Sequence, residues 1–278
     1  MTQHQKSKPV LTLIIAVYNA VRYLEYILAA LERQTMTDFE VIIADDGSGH
    51  EIKDTIERAK INVTFPIQHL WQEDIGFRKN SMLNKAIHAS HADYLVFIDG
   101  DCVPHHKFLS DHWSNRQEGS LLCGRRMNLS KQLTDRLTLD RIRSGEFEKL
   151  SPTVWMDGFL ARSSNLEDAI RLENSFLRKI LHRNHARILG CNFSIGKKML
   201  EQINGFNEEY HAPGIGEDTD IAFRLELTGA NFITLRYLAV LYHLYHPATP
   251  VGDENRRIFE KVVEARNPVC PNGLRRLS

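Results

Sequence analysis

The sequence is poor in the features that would announce most other classes of protein. Its four cysteines, Cys102, Cys123, Cys191 and Cys270, are scattered and form no CxxC pair. That excludes a cysteine zinc site or a disulfide framework as the organising feature, and it fits a reducing compartment. No run approaches the ~20 apolar residues of a membrane span, and the opening MTQHQKSKPV lacks the apolar centre of a secretion signal. Net charge is missing too. The 35 Lys and Arg balance 35 Asp and Glu, so no overall field favours nucleic acid as a partner. There is no internal repeat and no low-complexity tract. What remains is an ordinary globular composition, 42% hydrophobic and 25% charged over 278 residues, enough for one sizeable α/β domain. Such a chain is expected to be soluble and cytoplasmic, or at most peripheral at the inner face of a membrane. Arg256-Arg257 and Arg275-Arg276 would permit contact with anionic lipid, although so few charges are more often plain solvated surface.

Strands and helices alternate through the first half. Val10 to Val17 and Phe39 to Ala44 are continuous β-rich runs, as in strands buried on both faces of a parallel sheet. Val63 to Leu70 and Tyr94 to Ile98 read as two more strands. Between them, the spacing of Val21, Leu24, Ile27, Leu28 and Leu31 predicts a helix, with others over Glu51 to Lys60 and Phe77 to Ala89. This order predicts a twisted, mostly parallel sheet with helices on both faces. Asn128 to His185 is charged, broken by Ser151-Pro152 and Ser163-Ser164, and reads as a helical insert outside the sheet. Regularity returns with a strand over Arg187 to Ile195, a short helix from Lys197 to Ile203, and a helix from Glu217 to Leu227 closed by Gly229. Asn231 to Tyr242 reads as one last strand, and Glu254 to Ala265 as a terminal helix.

Parallel α/β sheets bind ligands at the carboxyl ends of their strands. Three predicted strand ends here carry Tyr18-Asn19, Asp45-Asp46 and Asp99-Gly100-Asp101. Acids converging on one crevice need a cation or a hydrogen-bond donor to answer them. A nucleotide base supplies donors, and a divalent ion on a diphosphate supplies charge. An Asp-x-Asp after an apolar strand offers hard oxygen ligands suited to Mn²⁺ or Mg²⁺, with Gly100 easing the turn. A solvated turn uses the same residue types. Gly216-Glu217-Asp218-Thr219-Asp220 opens a predicted helix; one acid there suffices to cap backbone N–H groups, and three exceed that need. An ionised carboxylate is also what a general base requires. His243 and His246 close the last strand; regular strand geometry sends them to opposite faces, so one, His243, is expected to complete a metal shell. Trp71, Trp113 and Trp155 are candidate sugar platforms, Trp71 the best placed, although core packing is the commoner role.

Together these residues resemble the family 2 inverting glycosyltransferases with the GT-A fold. IIAVYNA, QTMTDFEVIIADDGS and YLVFIDGD carry the likeness in the first half. GCNFSIGKKMLEQINGFNEEY and GEDTDIAFRL are similar to the C-terminal region of β-1,4-galactosyltransferases and bacterial chondroitin polymerase. The resemblance implies a UDP-sugar donor, with Asp46 bonding the uracil and Ala16 and Tyr18 lining the base pocket. It implies Arg78, Lys79 and Asn84 as donors to the nucleotide or diphosphate, Asp99 near the ribose and metal, and Gly100 among the nucleotide-binding residues. Metal would lie at Asp99, Asp101 and His243, the base at Asp218, and an acceptor-holding partner at Glu217. Ala16 departs from the threonine of many relatives. Ala212-Pro213-Gly214-Ile215-Gly216 departs from the usual tryptophan or glycine turn, which leaves the transferred sugar open between galactose and an N-acetylhexosamine.

The chain is accordingly expected to be a single GT-A domain over 1–278. It would comprise a nucleotide-sugar half over 9–126, a helical insert over 127–186 for acceptor recognition or a lid, an acceptor and catalytic half over 187–250, and a C-terminal helix and tail over 251–278. The acceptor would be a glycan or lipid-linked glycan of a surface polysaccharide. Two rivals share the α/β sheet. A sugar nucleotidyltransferase should show a glycine-rich phosphate loop where Tyr18-Asn19-Ala20-Val21 stands. A non-catalytic nucleotide-sugar or glycan-binding module would not need both acidic elements.

Overall fold

A computed structural model of the chain describes residues 8–160, 162–181, 186–247 and 253–277. Expectations that fall on the other residues lie outside the described part. Its first half runs β1 (Leu11–Val17), α1 (Val21–Leu31), β2 (Phe39–Asp45), α2 (His50–Asn62), β3 (Ile67–Trp71), α3 (Lys79–Ala89) and β4 (Tyr94–Asp99). Next come β5 (Cys102–Pro104), α4 (Phe108–Asn115), β6 (Ser120–Cys123) and β7 (Met127–Asn128). The insert holds α5 (Lys131–Asp135), α6 (Leu139–Ser144), α7 (Pro152–Phe159) and α8 (Ser175–Leu181). The last part is β8 (Phe193–Gly196), α9 (Lys197–Gln202), α10 (Glu217–Leu227), β9 (Asn231–Thr234), β10 (Leu241–His243) and α11 (Glu254–Ala265).

Seven strands form the main sheet in the order β3-β2-β1-β4-β8-β6-β9. β3, β2, β1 and β4 are mutually parallel, and β8 runs antiparallel between β4 and β6. Alternate side chains of one strand point to opposite faces, and both faces are covered. Leu13, Ile15, Val41, Ile43, Val96 and Ile98 pack against α1 and α2 on one side. Ile14, Ile42, Leu95 and Phe97 pack under α3, α9 and α10 on the other. This double burial is why the first strands are continuous apolar runs.

A second sheet of three strands, β5-β10-β7, stands beside the first. It accounts for most departures from the sequence reading. Asn231 to Tyr242 is not one strand: positive φ at Tyr237 and Ala239 breaks it, leaving β9 in the main sheet and β10 in the small one. The region from Arg187 contributes only Phe193–Gly196 as strand, and β3 begins four residues later than Val63. The insert is helical, in short pieces, yet it enters through β7 and is tied back by a bridge between Asn128 and Ser164. Three- and four-residue strands are too short to leave a periodic signal.

α10 is anchored from within. Arg224 is fully buried; its Nε and Nη2 donate to Asp220, and other guanidinium N–H groups reach the carbonyls of Ile203 (2.6 Å) and Gly205 (2.8 Å). Asp220 is thereby a structural acid. Replacing Arg224 with Leu should strand the Asp220 carboxylate and cost about 3–5 kcal/mol, the range for a broken buried pair. Urea denaturation checks this; a wild-type midpoint would show that the pair carries no such weight.

Candidate active site

Backbone register brings the chemical residues together. Ala16 of β1 pairs with Ala44 of β2 and with Asp99 of β4, and Val17 pairs with Asp45, so the three strands end at one level. Asp45 turns inward, where its carboxylate accepts from the Ser48 N–H (2.8 Å) and meets His69 (2.9 Å). Asp46 faces the groove beyond and accepts from Gln72 Nε2 (2.5 Å) and the Arg78 N–H (2.7 Å). Tyr18 is half-exposed, its hydroxyl donating to Asp74 (2.9 Å). Trp71, also half-exposed, donates from its indole to the Ser48 carbonyl (2.9 Å). The result is an open shelf with aromatic walls and a buried carboxylate.

Arg78 forms one end of the shelf, with Nη2 bonded to the Glu73 carbonyl. Its Nε is buried with no hydrogen-bond partner among the described residues. Asn84 is not brought to the groove. It is buried, and its amide is used on the backbone of Phe206 and on Glu208, holding the loop after α9. An asparagine here can serve as a loop clamp or as a ligand donor, and Asn84 is the clamp.

Lys79 joins the two halves of the chain. Its ammonium bonds Asp99 at 2.6 Å and Glu217 at 2.7 Å. Burial alone would lower the lysine's pKa, but the two carboxylates outweigh it and hold the ammonium well above its ordinary value. For Glu217, burial pushes the pKa up to about 7; Lys79 opposes this and Asp99 adds to it. Asp218 accepts from the Gly190 N–H (3.1 Å) and from the Thr219 N–H (2.7 Å). A small cavity between these groups is lined by Ala16, Lys79, Asp99, Gly190, Glu217 and Asp218. A second, of about 180 Å³, lies between Phe77, Lys79, Tyr210 and the turn Ala212-Pro213-Gly214.

Two glycines are required by space. A Cβ at Gly100 would lie 2.8 Å from the Ala16 carbonyl oxygen, so its role is close packing on β1 rather than the freedom to turn. A Cβ at Gly190 would strike the Glu217 carboxylate. Gly190 escaped the sequence reading as a site residue; its signal is its place at the head of the Gly-Cys-Asn-Phe-Ser stretch.

The expected metal group changes membership. Asp101, His243 and His246 bring one ligand atom each within 4.8 Å of one another. His243 Nε2 is 3.4 Å and His246 Nε2 3.1 Å from the Asp101 carboxylate. Both histidines therefore turn to the same aspartate, because β10 ends at His243 and the rule of opposite faces stops with it. Asp99 is not in this group; Lys79 has taken it. Burial would raise the Asp101 pKa, but bonds from both imidazoles override that and hold it well below the carboxylate range. Arg126, absent from the sequence reading, lies nearby with one hydrogen bond among the described residues, to Cys191 Sγ at 3.4 Å.

Residues 12–183 match the model of glycosyl transferase family 2, and 175–247 match that described as the N-terminal domain of galactosyltransferase. The chain belongs to glycosyl transferase family 2. Among curated relatives of this transferase, chondroitin synthase of Escherichia coli is 24% identical over 88% of the chain and 35% of that protein. Chondroitin synthase of Pasteurella multocida is 26% identical over 93% and 27%. The chain thus spans about a third of the length of these relatives. Among solved structures, Staphylococcus aureus TarS 1-349 in complex with UDP-GlcNAc superposes with a TM-score of 0.62 at 16% identity, covering 92% of this chain and 66% of that one. Mannosyltransferase PcManGT from Pyrobaculum calidifontis, in complex with GDP-Man and Mn²⁺, gives 0.55 at 15%, covering 86% and 57%. These neighbours establish the GT-A fold, a mostly parallel α/β sheet.

His246 offers a test of the cluster's electrostatics. Its bond to Asp101 raises the imidazole pKa from 6.5 to about 9, against the pull of burial. A raised folded-state pKa stabilises the protein fully below pH 6.5, and that contribution is lost as pH rises through 9. In chelator-treated protein, His246→Gln should flatten the fall in Tm across this window. An unchanged slope would mean the imidazolium–carboxylate pair does not form.

Proposed function

We propose that the chain is an inverting, metal-dependent hexosyltransferase. It would move galactose or an N-acetylhexosamine from a UDP-sugar to a hydroxyl of a glycan or lipid-linked glycan during surface-glycan synthesis, on the cytoplasmic side. The observation that carries this reading is the convergence of Lys79, Asp99, Glu217 and Asp218 around one cavity, two residues along the chain from the Asp101–His243–His246 group. Neighbours crystallised with UDP and UDP-GlcNAc support a uridine donor, and the chondroitin synthases support a polymer-building role. Among the described residues no helix is long and apolar enough to cross a membrane.

The donor nucleotide would lie on the shelf at the ends of β1 to β3, its uracil against Asp46 and beside Ala16 and Tyr18. A buried carboxylate there accepts from a ring N–H and rejects bases that present only acceptors. Lys79 and Arg78 would bring cationic or N–H donors toward the diphosphate. Asp218 makes no ion pair among the described residues, so its carboxylate is available to take the acceptor's proton as the hydroxyl oxygen attacks the anomeric carbon. Glu217, steadied by Lys79, would orient that acceptor. One attack without a covalent sugar–enzyme intermediate inverts the anomeric centre.

Asp101, His243 and His246 fit a divalent cation. Mg²⁺ prefers oxygen ligands throughout, so one carboxylate with two imidazoles points to Mn²⁺ as the better match. Bound there, the ion supplies positive charge to offset that developing on the departing diphosphate.

With a panel of UDP-sugars and UDP release as the readout, Asp218→Asn should lose roughly 10²–10⁴-fold in turnover while UDP affinity holds. Near-normal turnover would remove Asp218 as the base. Calorimetry should show Mn²⁺ binding that Asp101→Asn abolishes; full activity in excess chelator would reject the metal assignment.

A further inference from the structure

The insert carries a surface that transfer chemistry does not use. Eight of the fifteen large exposed hydrophobic side chains among the described residues lie between Trp155 and Leu181. They fall in two helices with the same pattern. α7 presents Trp155, Met156 and Phe159 outward, with Phe159 87% exposed, and Leu160 at its C-cap continues the face. α8 presents Phe176, Leu177, Ile180 and Leu181, with Phe176 68% exposed. Positions i, i+1, i+4 and i+5 share one side of a helix, so each forms a continuous apolar face turned away from the protein. The inward side of α7 is already committed: Val154 packs against the core, Asp157 is buried on Ser163, and Gly158 is covered by Leu166. No residue of α8 is buried. Concentrated exposed apolar surface of this kind marks a site of association.

Charge selects the partner. From Asn174 to Arg187 the sequence holds Arg178, Lys179, Arg183 and Arg187 and no acid, in a chain whose charges balance overall. Near α7 the basic side chains Arg136 and Arg162 border a groove shared with Met156 and Leu160. Acids of the same region are already paired: Glu173 with Lys107 and Arg171, Asp168 with Arg236. Short helices with aromatic and branched apolar faces, edged by Lys and Arg, suit the boundary between headgroups and acyl chains of an anionic bilayer. Trp155 adds a side chain that favours this boundary.

We propose that α7 and α8 are membrane-contact elements that seat the enzyme peripherally on anionic lipid. The surface is independent of the transfer reading, since none of its residues line the active-site cavities.

Flotation of the full chain with vesicles tests it. Binding is expected to mixed phosphatidylglycerol and phosphatidylcholine, not to phosphatidylcholine alone, and should weaken as salt rises. A Phe176→Ser, Ile180→Ser variant should lower the bound fraction about tenfold through lost apolar insertion, with Tm and UDP binding unchanged. Lys179→Glu and Phe159→Ser should weaken binding separately. The proposal falls if wild-type protein ignores anionic vesicles, or if the Phe176→Ser, Ile180→Ser variant binds them like wild type. It also falls if the wild-type protein is a dimer that this variant splits and no vesicle binding occurs, since the face would then join two copies. UDP binding that persists through any of these results separates them from failure of the transfer reading.

Discussion

One ammonium between two carboxylates holds the site together. Asp99 ends a strand of the first half and Glu217 begins a helix of the second, and brought close they would repel each other in a setting that excludes water. Lys79, at the first position of α3, stands between them with short bonds to both. A lone buried charge of either sign would be costly, and removing the lysine would leave two. Because the three groups come from three elements, the same contact fixes how α3 and α10 sit on the end of β4.

Around this contact the labour is divided among acids that look alike in the sequence. Asp45 and Asp220 are internal, one folded onto Ser48 and His69, the other clamped by Arg224. Asp46 is held by donors at the rim of a shelf, Asp101 is shared by two imidazoles, and Asp218 takes only backbone N–H groups and its neighbour's hydroxyl. What distinguishes them is which donors the fold brings to each. Adjacent acids such as Glu217 and Asp218 thus differ sharply, one in an ion pair and the other without one.

The main sheet was legible because its strands are buried on both faces, which makes them long and almost purely apolar. Asp46, Asp99, Asp101, Glu217 and Asp218 stood out because acids at strand ends and helix starts have few structural uses in such numbers, and the fold brings three of them, Asp99, Glu217 and Asp218, to one cavity. The small sheet was not, since three residues of β10 contain no period to read. That single omission produced the error over His243 and His246: extrapolating a strand past its end forced a choice between two side chains that point the same way. Asn84 misled for a different reason. Its side chain can serve loop or ligand equally, and only the position of Phe206 decides. Arg126 carries no local signal and Gly190 only its place ahead of Cys-Asn-Phe-Ser, because the relevance of both comes from residues far away in the chain.

The ion pair at Asp220 and Arg224 sits just beyond Glu217 and Asp218 and fastens α10 from its buried side. The turn from Ala212 to Gly216 borders the larger cavity, and its last residue is tied to the helix by the Asp220 N–H, which donates to the Gly216 carbonyl. Pro213 can therefore change and reshape that cavity while Glu217 and Asp218 keep their places, whereas Gly216, with φ +150° and no room for a Cβ beside Tyr210, cannot. The shape of that cavity and the placement of the two acids are thus separable properties in this architecture.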